Sequence, residues 1–221
     1  MRIKHYIVII CLVVVTVTVA SLFSSQKKSS DLRKEPKETE TIITDIKKEK
    51  NKIGAESLLA PPIENALSRI TTKTFGTHVS PKNSPVSPER FTGYHTGVDF
   101  ETFAEEQNTD VLVYAICTGK LVINEFGRGY GGMAVESCEL DDSQIIAVYG
   151  HIRITSVTVK VGEIINKGEK LAVLGTGYGR ETDGERKHLH LGIHKGSAID
   201  TRGYVADKDQ LLNWINVEDY L

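Results

Sequence analysis

The stretch "HLHLGIH", His188 to His194, holds three of the seven histidines in a chain of 221 residues. Side chains on a β-strand alternate between faces with a period of two. Read as a strand, this stretch points His188, His190, Gly192 and His194 one way, and Leu189, Leu191 and Ile193 the other. The aliphatic face reads as core. The imidazole face must meet water, a partner or a metal, and neutral imidazole is a common metal ligand.

Working outward, the frame around this strand is β-rich. The segments "VLVYAICTGKLVINEFG" (111–127), "GGMAVESCEL" (131–140), "SQIIAVYGHI" (143–152) and "SVTVKVGEIINKGEKLAVLG" (156–175) are short, apolar and β-branched, and are broken by glycine or Asp-Asp turns. Many short strands of this kind predict a mainly β protein with an antiparallel sheet or sandwich core. At the end of the chain, Leu211, Leu212 and Ile215 recur at helical spacing behind Asp207, which predicts a short C-terminal helix.

The N-terminal part differs. Arg2 and Lys4 precede an apolar run from Tyr6 to Phe23. A run of roughly 18 residues reaches the lower edge of a membrane-spanning helix. It reads equally as a signal peptide cut after Thr18-x-Ala20. Residues 1–24 are therefore expected to be an apolar helix that exports the chain, cleaved or anchored, with membrane contact if uncleaved. Residues 25–66 are dense in Lys, Glu, Ser and Thr and poor in aromatics, which predicts a disordered tether. Residues 67–221 are the expected folded domain. The net charge of −2 offers no basic field for nucleic acid. Cys11 lies in the apolar run. Cys117 and Cys138 remain as either a disulfide or two buried thiols. The hairpin midpoint near Gly127–Arg128 would set them opposite each other.

Two further segments carry chemistry. In "GYHTGVDF" (93–100), His95 and Asp99 are an even number of residues apart, so an extended backbone turns both to one side. Both are good zinc ligands. In "VYGHIR" (148–153), His151 follows a strand-like run. Spacing alone does not say which of His188 and His190 binds metal.

Taken in order, "GYHTGVDF", "YGHI" and "HLHLGI" resemble the M23 metallopeptidases, the LytM- and lysostaphin-like endopeptidases of bacterial cell walls. The segments "ITTKTFG" (70–76), "GYGGMAV" (129–135) and "VKVGEIINKGEKLAVLGTG" (159–177) extend the resemblance across roughly residues 70–221. It implies an antiparallel β core with an open groove. It implies Zn2+ held by His95, Asp99 and His190, with His151 and His188 catalytic, and peptide stems or cross-bridges of peptidoglycan as substrate. It also admits a second reading, a non-catalytic relative that activates other wall hydrolases, and protein regulators of the enzyme itself. Tyr149 is a weaker candidate donor to the oxyanion, and His194 is expected at the rim or in solvent. One departure stands out: Arg186 and Lys187 precede His188, after a charged insertion, where the family has small residues. That loop is expected to wall the groove and to bear on substrate preference.

Overall fold

Residues 57–221 are described by a computed structural model; the apolar run and the charged segment up to residue 56 lie outside the described residues. In chain order the strands are β1 (His78–Val79), β2 (Gly93–His95), β3 (Gly97–Glu101), β4 (Leu112–Tyr114), β5 (Gly119–Gly127), β6 (Gly131–Leu140), β7 (Ser143–Gly150), β8 (Ile164–Ile165), β9 (Lys170–Val173), β10 (His188–Lys195), β11 (Tyr204–Val205) and β12 (Trp214–Ile215). The main sheet runs β12-β10-β7-β6-β5-β8, with β3 also paired to β10. A small sheet, β1-β2-β11, and the pair β4-β9 complete the β structure among the described residues. Every strand pairing is antiparallel, as the pattern of short strands and tight turns predicts.

Alternation along β10 sets the two sides of the main sheet. Leu189, Leu191 and Ile193 are fully buried among Val98 and Phe100 of β3 and Ala147 and Tyr149 of β7. Each such side chain stabilises the fold by roughly 1.5–3 kcal/mol relative to exposure. The hairpin β6–β7 closes through Asp141 and Asp142, both at positive φ (50° and 58°). Two-residue hairpin turns demand that geometry, and Asp tolerates it.

Three expectations need correction. The folded unit begins before residue 67, because Leu59, Ile63 and Ala66 are buried in the main core. The C-terminal segment forms no α-helix. It makes 3-10 turns at Lys208–Asn213 and Val217–Tyr220. Between them β12 pairs with β10, Trp214 opposite His194 and Ile215 opposite Ile193, so tertiary ladder pairing overrides the helical spacing. Cys117 and Cys138 are bridged, with Cα atoms 6.3 Å apart, inside the limit of about 7 Å for a disulfide. They are not directly opposed: the hairpin turns about Gly129, with Gly127 facing Gly131, and Cys138 therefore faces Gly119.

Beneath the sheet lies a buried acid. Glu136 accepts a hydrogen bond from the Tyr149 hydroxyl at 2.6 Å, and that hydroxyl accepts one from the Ile116 N–H at 2.9 Å. The other Glu136 oxygen has no partner among the described residues. Burial raises the Glu136 carboxyl from its ordinary 4.5 to about 7, against the opposing pull of the Tyr149 hydrogen bond. Its folded pKa thus exceeds its unfolded one. The stabilisation is complete below pH 4.5 and is lost as pH rises through about 7. The loss amounts to something on the order of 3 kcal/mol. Denaturant midpoints of the zinc-supplied protein should fall between pH 5 and 7.5, and Glu136→Gln should remove most of that slope. An unchanged slope in the variant would assign the pH dependence elsewhere.

Candidate metal centre

The β3–β10 register places Asp99 directly across from His190, with Glu101 across from His188 and Gly97 across from Gly192. Directly opposed residues share a face, with Cβ atoms about 4.5–5.5 Å apart. His95 arrives from the other sheet, at the end of β2. The chain turns at Thr96, whose buried hydroxyl donates to the Arg202 carbonyl at 2.6 Å and whose N–H donates to Gly203 at 3.1 Å. Three donor atoms converge as a result. His95 Nε2 lies 2.9 Å from His190 Nδ1, and Asp99 Oδ1 lies 3.2 Å from each. All three residues are buried.

Glycine makes this convergence fit. A Cβ on Gly97 would fall 2.4 Å from the Leu191 carbonyl oxygen and 2.8 Å from the His190 ring. A Cβ on Gly150, across β7–β10 from His190, would fall 2.3 Å from the Tyr130 ring. Neither position leaves room for a side chain.

The donor set fits a divalent zinc-like cation. Two imidazole nitrogens and a carboxylate oxygen at these separations must share a proton or a cation. Tetrahedral zinc with bonds of about 2.1 Å separates its ligand atoms by roughly 3.4 Å, close to what is found here. His95 Nδ1–H donates to the Thr74 carbonyl at 3.2 Å, which turns the Nε2 lone pair toward the centre. Burial pushes His190 down to about 4, against the opposing pull of its hydrogen bond to the Asp99 carboxylate. Burial also opposes ionisation of Asp99, yet His188 and His95 hold it well below the usual carboxylate range. At neutral pH His190 is neutral and Asp99 ionised, the protonation states that ligation needs.

His151 and His188 flank the cluster, their rings 4.3 Å apart. His188 Nδ1–H donates to the Arg186 carbonyl at 2.9 Å, and its Nε2 lies 3.3 Å from Asp99 Oδ2. His151 sits just past β7 with φ at 64°, held by its N–H to the Tyr130 carbonyl (3.0 Å) and its own carbonyl to the Gly175 N–H (2.8 Å). Strained backbone of this kind costs of order 1–3 kcal/mol and clusters at functional sites. Burial, reinforced by His188, holds His151 well below the usual histidine range. Its buried Nδ1 has no partner among the described residues.

A cavity of about 230 Å³ opens above these histidines, with Phe91, Tyr130, Arg186 and Tyr204 in its walls. Phe91 and Tyr204 stack at 5.2 Å. The insertion before His188 does wall the cavity. Arg90 fastens it from the opposite side, donating to Glu185 at 2.8 Å and to the Asp183 carbonyl at 2.7 Å. Sequence reasoning named the wrong tyrosine. Tyr149 lies in the core against Glu136, while Tyr130 lines the cavity with its hydroxyl 3.5 Å from His190 Nε2. Tyr130 lies in "GYGGMAV", a segment noted only as frame. His194 stays apart from the cluster, half-buried against Trp214 at 5.0 Å.

The model of peptidase family M23 matches residues 93–201, a span that holds all five of these residues. No curated protein matches the chain. Among solved structures, the catalytic domain of the antimicrobial peptidase lysostaphin from Staphylococcus simulans is 20% identical and covers 71% of this chain and 96% of that domain, with a TM-score of 0.46. LytU is 22% identical over 69% of this chain and 90% of its own, with a TM-score of 0.44. Csd3 from Helicobacter pylori is 21% identical over 67% of this chain but 35% of its own, with a TM-score of 0.41. The chain belongs to peptidase family M23.

Proposed function

We propose that this protein is an exported, zinc-dependent endopeptidase that hydrolyses peptide bonds in bacterial peptidoglycan. The observation that carries the reading is the convergence of His95 Nε2, Asp99 Oδ1 and His190 Nδ1 on one point in the floor of a cavity flanked by two more histidines. A zinc ion held there would polarise the scissile carbonyl and supply a nucleophilic water near neutral pH.

The remaining work falls to the chain. His151 is neutral and its Nδ1 has no partner among the described residues, so it is the group assigned to accept the proton of the attacking water and pass it to the leaving amine. Both ring nitrogens of His188 face acceptors, the Arg186 carbonyl and Asp99. The ring is thereby fixed beside the three donor atoms, and from there His188 is assigned to steady the negative charge that develops on the carbonyl oxygen. Phe91 and Tyr204 offer flat apolar surface to a peptide. Water adds across the peptide bond, leaving a carboxylate and an amine. The apolar N-terminal run delivers the domain to the wall, outside the cytoplasm.

Metal analysis beside digestion of muropeptides, read by mass spectrometry, tests the whole reading. One zinc per chain and cleaved peptides are expected. Stoichiometric zinc without cleavage would favour the non-catalytic regulator. Asp99→Ala should lose stoichiometric zinc after mild chelation, and so should Gly97→Ala, whose Cβ would displace His190. Full metal retention in Asp99→Ala would overturn the ligand set.

His151→Ala and His188→Ala should keep zinc and lose roughly 10²–10⁴-fold in turnover. Loss of metal from His188→Ala, with His190→Ala still metallated, would show the two roles reversed.

A further inference from the structure

Arg186 and Lys187 stand where the family resemblance leads one to expect small residues. The structure separates the two. Lys187 is turned away, its ammonium donating to the carbonyls of Glu106 (2.7 Å) and Thr109 (2.5 Å). Arg186 reaches the metal centre, with Nη2 2.9 Å from Asp99 Oδ2 and Nε 2.8 Å from Glu101 Oε2. Its Nη1 is buried and finds no acceptor among the described residues. A buried guanidinium nitrogen without an acceptor is costly, so its partner is expected from outside the chain.

The same cavity carries a second arginine. Arg128, in the turn between β5 and β6, is exposed and has no ion pair among the described residues. The other charged side chains around the rim are committed. Lys73 pairs with Glu89 at 2.7 Å, Arg202 with Asp200 at 2.6 Å, and Glu185 with Arg90 at 2.8 Å. Uncommitted charge at the cavity is therefore cationic, and it is arginine, whose planar fork matches a carboxylate.

We infer that the groove selects peptides bearing a free carboxylate beside the bond to be cut, held by Arg128 and by the unpartnered Nη1 of Arg186, over neutral peptides of the glycine-bridge kind. This rests on the reading of the groove as a peptide-binding site. It names Arg128 and Arg186 as specificity-determining residues.

The test is binding, so that it stands apart from hydrolysis. Two ketomethylene analogues of a D-alanyl-diaminopimelyl peptide, which cannot be hydrolysed, would carry either the free diamino-acid carboxylate or its amide. Each is titrated into the zinc-supplied protein. The acid should bind about tenfold or more tightly than the amide, and the difference should shrink with added salt. Arg128→Gln should bring the ratio near one, Arg128→Lys should keep part of it, and Arg128→Glu should invert it. Inversion is not expected of a merely structural side chain. Equal binding of both analogues, no binding of either, or an unchanged ratio in Arg128→Gln would overturn the inference. Digestion of the parent peptide is read separately. Discrimination between the analogues without cleavage of the parent would leave this inference standing and remove the peptidase reading.

Discussion

Asp99 lies directly across the β3–β10 ladder from His190, and the rest of the centre depends on that pairing. A slip of one residue would turn His190 toward the core and bring Leu189 or Leu191 to the cavity. The aliphatic face of β10 resists the slip, because all three of its side chains are fully buried. Gly97 and Gly150 then let the neighbouring backbones close on the His190 ring. Core packing and site geometry are thus two faces of one strand, and neither can be changed without the other.

Burying this much polarity carries a cost that the site offsets locally. Asp99 is buried among His95, His188 and His190, with Arg186 on its outer oxygen. Arg186 is in turn gripped by Glu101. A similar arrangement appears behind the cavity wall, where buried Lys73 meets Glu89 and the Tyr204 hydroxyl. Breaking a buried pair by removing one partner leaves an uncompensated charge, which is far more costly than the pair itself. The loop bearing Glu89, Arg90 and Phe91 is tied down in this way and holds one wall of the cavity.

Much of this was legible in the sequence, and the failures have physical causes. The two-residue period of "HLHLGIH" identified the core face, and the even spacing of His95 and Asp99 turned both toward one centre. Tyr149 fails as a donor because it shares the core face of β7 with Ala147. His151 and Tyr149 are two residues apart, so a regular strand would put both on one side. The left-handed φ of His151 breaks the pattern and swings its ring to the cavity, while Tyr149 stays in the core. No sequence period announces a backbone outlier. The C-terminal segment failed for another reason: Leu211, Leu212 and Ile215 satisfy helical spacing, but the edge of β10 was open to pairing and took Trp214 and Ile215. Leu59 and Ile63 fall within the tether as the sequence draws it, because the charged composition before them hides where the core begins.

Arg186 alters the charge of the centre in a way that bears on its chemistry. Leaving the histidines aside, Asp99, Glu101 and Arg186 sum to a charge of −1 (two carboxylates and one guanidinium). A divalent ion among His95, Asp99 and His190 would bring the same group to +1. Without Arg186 the ion would just balance the two carboxylates, and the centre would be neutral. A net positive, water-poor centre favours the oxygen of a carbonyl as it gains negative charge, because fixed charge acts more strongly where solvent is excluded. Glu101 is what makes the arginine tolerable beside a cation, since it pairs with the guanidinium, which meets Asp99 at Oδ2 and not at the converging Oδ1. The departure from small residues at this position thus leaves the three converging donor atoms together and changes the field around them.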